Sequence, residues 1–167
     1  MLAMLLFTLV TPSDDLFSLP REKALVLLFV RRDCPISNRY APEIQRLYEQ
    51  YSRHGIDFRL VYAETGLTTA AMEMHRKEYG YTIPALVDTD QKYVTRARAR
   101  VTPEAAFFVH GRLIYLGRID DRYVDIGKAR PDATRHDLEE VLAATVAGKS
   151  IRRRETKAVG CAIENPP

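Results

Sequence analysis

A chain of 167 residues with 46% apolar and 28% charged side chains has the length and composition of one globular domain. Its net charge of +3 is mild, and no aromatic residues interleave with the clusters at Lys149–Lys157 and Arg96–Arg100 as they would in a base-stacking platform. Nucleic acid is therefore not an implied partner, and no repeat, low-complexity tract or Gly/Ser linker divides the chain.

Residues 1–10, MLAMLLFTLV, are apolar but far short of the ~20 needed to cross a bilayer, so no stable membrane span is expected. They resemble the apolar centre of an export signal without its basic start or its small-residue cleavage site. Residues 1–15 are read as a signal-like or N-terminal extension, 16–150 as the domain and 151–167 as a tail. A periplasmic or secreted location is expected, with a cytoplasmic one as the alternative.

The first strand is read at 24–30, seven consecutive apolar residues that suit burial on both faces. It stops at Arg31-Arg32-Asp33. Asp33 or Cys34 can then cap a helix whose first turn holds Pro35. Ile44, Leu47, Tyr48 and Tyr51 lie on one face of that helix, Pro42 should kink it and Gly55 should end it. A second strand is expected at 56–63. A helix at 68–79 turns Ala71, Met74 and Tyr79 inward, and a short strand follows at 85–87. A short helix is expected within 92–100. The run 105–109, the turn His110-Gly111 and the run 113–119 read as a hairpin. Residues 120–132 read as a charged loop. Thr134 should open a last helix whose stripe is Leu138, Val141, Leu142, Thr145 and Val146. From 150 onward the chain has no periodicity. Strands alternating with helices imply an α/β fold: a central mixed sheet flanked by helices, with a C-terminal hairpin, a helix and an irregular tail.

Two cysteines carry the chemistry that the sequence offers. Cys34 follows a buried strand at a helix start, where unpaired N–H groups and the helix dipole favour a thiolate, with Arg31, Arg32 and Arg39 near in sequence. Cys161 lies in the tail, where Gly160 gives the backbone freedom to fold back. Whether the two meet, as a disulfide or as co-ligands, is left open by sequence. The four histidines, His54, His75, His110 and His136, lack metal-ligand spacing and read as surface or turn residues. No phosphate loop, cofactor motif or metal set is present. Asp120 and Asp121, between Arg118 and Arg122, read as a surface ion-pair loop.

The segments Asp33-Cys34-Pro35-Ile36-Ser37-Asn38-Arg39-Tyr40-Ala41-Pro42-Glu43, Gly117-Arg118-Ile119-Asp120-Asp121-Arg122-Tyr123 and Thr156-Lys157-Ala158-Val159-Gly160-Cys161, together with Val101-Thr102-Pro103 before a hairpin, carry a resemblance. The chain resembles a thioredoxin-fold redoxin, related to the AhpC/TSA and thioredoxin proteins, of a bacterial redoxin-domain group. The resemblance implies a thiol oxidoreductase, exchanging disulfides or linked to peroxide and antioxidant chemistry. In it Cys34 attacks, Cys161 or an external thiol resolves, and Ser37 and Arg39 stabilise negative charge. Pro35 and a cis Thr102-Pro103 corner would face the partner. The implied partners are a protein or small-molecule disulfide or a peroxide, and an external thiol reductant. The alternative is a binding module that uses Cys34, with or without Cys161, to carry a metal or hold a client.

Departures from the wider pattern are specific. Ser37 stands where a dithiol thioredoxin has its second cysteine. Leu27 and Arg31 stand where peroxiredoxins have proline and threonine, and Asn38 stands where thioredoxin-fold copper carriers have a second cysteine.

Overall fold

The computed structural model describes residues 16–18 and 24–164, so the N-terminal extension at 1–15 lies outside the described residues. The centre is β1 (Ala24–Val30), whose six residues from Leu25 onward are buried. It pairs parallel with β2 (Ile56–Tyr62), which in turn pairs parallel with β3 (Ala85–Val87). On its other side β1 runs antiparallel to β5 (Glu104–Val109), which turns through His110-Gly111 into β6 (Arg112–Gly117). The tail adds β9 (Arg154–Glu155) parallel to β6, giving the order β3-β2-β1-β5-β6-β9. Both faces of β1 are apolar because both are covered. Val26, Leu28 and Val30 join one buried cluster, and Leu25, Leu27 and Phe29 join another.

Helices form the two covering layers. The segment after β1 is two helices, α1 (Pro35–Arg39) and α2 (Ala41–Tyr51), which meet at Tyr40. Pro42 therefore sits in the first turn of a new helix, where its missing N–H costs nothing, instead of kinking the interior of one helix. Ile44, Leu47 and Tyr51 of α2 pack into the first cluster with Met72 of α3 (Thr69–Glu78) and with Leu138, Val141 and Leu142 of α5 (Asp137–Val146). Tyr93, Val94 and Ala97 of α4 (Lys92–Ala97) pack into the second.

Several sequence expectations are corrected. The inner face of α3 is Met72 and His75, whereas Met74 is 72% exposed, and His75 is a core residue and not a surface one. Val146 also faces out. The α4 helix stops at Ala97 because Arg98 turns left-handed, with φ +63°. The loop at 120–132 contains a small hairpin, β7 (Tyr123–Asp125) with β8 (Lys128–Ala129). Thr134 does not open the last helix. Its N–H and hydroxyl both donate to Asp121, at 2.7 and 2.6 Å, and the helix begins at Asp137. Asp120 and Asp121 are accordingly buried anchors and not surface acids. Two short strands lie in the tail. Besides β9, β10 (Cys161–Ala162) pairs antiparallel with β4 (Val101–Thr102).

Candidate functional site

The site forms where the end of β1, the start of α1, the β4–β5 corner and the tail converge. Cys34 is the N-cap of α1, with an extended backbone, and its Sγ accepts a hydrogen bond from the Ser37 N–H at 3.5 Å. Pro35 follows at the first helical position, exposed. Across the cleft the Thr102-Pro103 peptide is cis, and the Cys34 thiol donates to the Thr102 carbonyl at 3.1 Å. The corner is held from beneath by Glu104, 3% exposed, whose carboxylate accepts from the N–H groups of Arg100 at 2.7 Å and Val101 at 3.4 Å. Burial pushes the Glu104 carboxyl above its ordinary range, and those N–H groups pull it back. The Thr102 hydroxyl is buried with no hydrogen-bond partner among the described residues.

The tail brings the second sulfur. Pairing of β10 with β4 sets Cys161 opposite Thr102, and the Cys161 thiol donates to Cys34 Sγ at 2.6 Å. Both cysteines are free thiols. Cys34 is fully buried and Cys161 half-buried. Burial, then the adjoining Cys34 sulfur, push the Cys161 thiol up to about 11, opposed by the nearby Arg31 charge. Cys161 therefore holds its proton at neutral pH.

The structure separates the other expected site residues. Ser37 is buried beside Cys34, but its backbone N–H makes the contact to sulfur, while its hydroxyl accepts from the Arg31 N–H at 3.4 Å. Arg39 is exposed on the far side of α1. It lines a cavity of about 590 Å³ with Tyr40, Asp120, Arg122, Tyr123 and His136, bordered by neither cysteine. The cation at the sulfurs is Arg31, whose guanidinium reaches Asp33 at 2.5 Å and Glu164 of the tail at 3.4 Å.

Sequence reasoning also missed a relay behind the site. His75 lies between the Tyr62 hydroxyl at Nδ1, 2.8 Å, and Asn38 Oδ1 at Nε2, 3.0 Å. The Asn38 amide donates in turn to the Arg32 carbonyl at 2.7 Å. Burial lowers the His75 pKa, so the neutral ring is favoured, and the relay ties α3 to the turn that carries Cys34. A buried histidine has no sequence signal of its own. One could be inferred here only from the i, i+3 spacing of Met72 and His75.

Among the described residues, Glu43, His136 and Glu139 bring three potential metal-ligand atoms within 4.8 Å of one another. Arg46 already bridges the two carboxylates, at 2.7 and 2.6 Å. Neither cysteine belongs to this cluster.

The mixed sheet, the cysteine at a helix start and the cis corner facing it define a thioredoxin-like redoxin domain protein. The chain belongs to the AhpC/TSA family, whose family model matches residues 11–114. The match ends before the tail that carries Cys161. Thiol-based redox chemistry is thus the general function of the chain.

None of the curated proteins matches. Among solved structures, an uncharacterized conserved protein from Geobacillus kaustophilus is 23% identical over 87% of this chain and 79% of that one, with a TM-score of 0.73. A hypothetical protein from Sinorhizobium meliloti is 25% identical over 86% and 80%, also with a TM-score of 0.73. A secreted disulfide oxidoreductase from Mycobacterium tuberculosis is 18% identical over 77% and 84%, with a TM-score of 0.50, a likeness of fold. No helix among the described residues is long and apolar enough to cross a membrane.

Proposed function

We propose that the chain is a thiol–disulfide oxidoreductase in which Cys34 attacks and Cys161 resolves. The observation that carries this reading is the pair of thiols 2.6 Å apart at the Thr102-Pro103 corner. A thiolate at Cys34 attacks one sulfur of a substrate disulfide, a mixed disulfide forms, and the other sulfur leaves as a thiol. Cys161, deprotonated, then attacks Cys34. The substrate leaves with both sulfurs reduced, and the chain carries a Cys34–Cys161 disulfide until an external thiol reduces it. Ser37, which cannot resolve anything, leaves that role to the tail. We take residues 16–150 as the redoxin domain and 151–167 as the segment that supplies its second sulfur. An oxidising compartment, the periplasm or the exterior, suits a pair that cycles through a disulfide.

Disulfide exchange is favoured over peroxide reduction because Leu27 and Arg31 replace the peroxide-activating residues and Cys34 is fully covered. The test is titration with a small disulfide, followed by thiol counting and peptide mapping. Wild type should end with no free thiol and a Cys34–Cys161 link, Cys161→Ser should stop at a mixed disulfide, and Cys34→Ser should not react. A wild-type chain that keeps two free thiols under excess disulfide sinks the reading.

A further inference from the structure

Two segments that disulfide exchange leaves unused, 80 residues apart, meet at the end of α1. Arg39 closes that helix and Tyr40 caps it, while Asp120, Arg122 and Tyr123 follow β6 and lead into β7. Together they line the cavity of about 590 Å³, a volume within the ~300–1,000 Å³ typical of small-molecule sites. Tyr40 and Tyr123, 5% and 8% exposed, set their ring centroids 5.5 Å apart at 51°, so the cavity has a fixed aromatic wall.

Asp120 adds a spare acceptor to this lining. Its side chain is buried, and both of its hydrogen bonds fall on one oxygen. The Tyr40 hydroxyl and the Arg122 N–H, the latter at 2.9 Å, donate to Oδ1. Burial, then the bond to Asp120, push the Tyr40 phenol far above its ordinary range, so it stays the donor. Oδ2 has no donor among the described residues. A buried carboxylate oxygen left unanswered is costly, and an N–H or O–H inside the cavity would answer it.

The charges around that oxygen are balanced. The guanidinium groups of Arg39 and Arg122 line the cavity and make no hydrogen bond or ion pair among the described residues. Glu43 adds little net charge, because Arg46 holds its two oxygens at 2.8 and 2.7 Å. Asp120 and the exposed Asp132 set two carboxylates against the two free guanidinium groups, with the exposed His136 imidazole beside them. A lining of both signs complements a molecule that itself carries both signs, better than a simple anion or cation.

We propose that this cavity binds a free α-amino acid with a flat apolar side chain. Its carboxylate pairs with Arg39 and Arg122, its ammonium donates to Asp120 Oδ2, and its side chain lies against the Tyr40 and Tyr123 rings. The inference goes beyond disulfide exchange and does not depend on it, since neither cysteine borders the cavity.

The experiment titrates the full chain with L-phenylalanine and follows the amide resonances of residues 120–123. The comparisons are 3-phenylpropionate, which lacks the ammonium, and phenethylamine, which lacks the carboxylate. Phenylalanine should shift those resonances and saturate, binding at least about tenfold more tightly than either fragment, the worth of one charge-assisted hydrogen bond. Arg39→Ala and Arg122→Ala remove exposed side chains that hold no other bond among the described residues. Each should weaken phenylalanine about tenfold and leave phenethylamine unchanged. Asp120→Asn should bring phenylalanine down to the affinity of 3-phenylpropionate, and the two arginine variants decide the matter if that buried substitution unfolds the chain. Failure of phenylalanine to bind overturns the proposal. So does equal binding of phenylalanine and 3-phenylpropionate to the wild type, which would mark a plain anion site, and so does unchanged phenylalanine binding in both arginine variants. None of these outcomes touches the disulfide-exchange reading, which thiol counting tests by itself.

Discussion

The tail attaches to the domain at two places, and the two are built differently. At 154–156 it is bound by charge and close packing. Arg154 reaches Asp137, 1% exposed, at 3.4 Å and Glu140 at 2.9 Å, and lies over the Tyr115 ring. The Thr156 hydroxyl joins the Tyr115 hydroxyl at 2.7 Å and accepts from the Arg118 N–H at 3.1 Å. Gly117, with φ +150°, lets the two backbones meet, since a Cβ there would lie 2.1 Å from that hydroxyl. At 160–164 the tail has two paired residues, one further backbone bond, the two light contacts of Glu164 and the side chains of Cys161 and Ile163, each partly buried against one of the two apolar clusters. Multivalent buried contacts hold a fixed anchor, and a few backbone bonds at an edge hold a segment that can open at little cost. The chain thus keeps its second sulfur tethered but releasable.

The contrast can be broken from the anchored side. Asp137→Ala strips the shared carboxylate from Arg118 and Arg154 and should cost about 3 kcal/mol, read as a fall in the urea midpoint. A loss no greater than that of an exposed ion pair would mean that the anchor is not electrostatic.

Amide exchange compares the two attachments within one molecule. The Thr156 N–H, bonded to the Leu116 carbonyl, should exchange at least about a hundredfold more slowly than the Ile163 N–H, bonded to the Arg100 carbonyl. Equal protection would show that the tail opens as one unit. A smaller effect is expected from Thr156→Val, about 1 kcal/mol for the lost hydroxyl bonds, with the reactivity of Cys34 unchanged.

The smallest effect tests the sulfurs themselves. Because the docked Cys161 thiol is raised from 9.0 to about 11, docking favours its neutral form. That contribution is complete below pH 9 and is lost as pH rises through about 11, where the undocked tail would already have released its proton. Titration of the Cys161 β-carbon resonance should give a midpoint near 11 in wild type and a lower one in Cys34→Ser, where only burial remains. An unchanged midpoint would show that the two sulfurs do not interact.

The sequence alone determined the frame of this protein. Seven consecutive apolar residues suit a strand covered on both faces, the Cys34-Pro35 step suits a helix start, and the strand–helix alternation with a closing hairpin leaves few topologies. These are local and periodic signals, and one chain carries them without reference to its own contacts.

The parts of the site that depend on remote partners were decided by tertiary structure. Arg31 and Arg39 both lie near Cys34 in sequence, on either side of it, but α1 turns Arg39 toward another cavity and β1 leaves Arg31 beside the sulfurs. Asp120 and Asp121 look like surface charges until Tyr40 and Thr134 fold over them. His75 enters the core because Tyr62 and Asn38 satisfy both ring nitrogens. The two-residue strands of the tail have no period to read. Pairing of β10 with β4, which the missing side chain of Gly160 permits, brings Cys161 to Cys34, since a strand that short has no preference of its own and takes its conformation from the edge it meets.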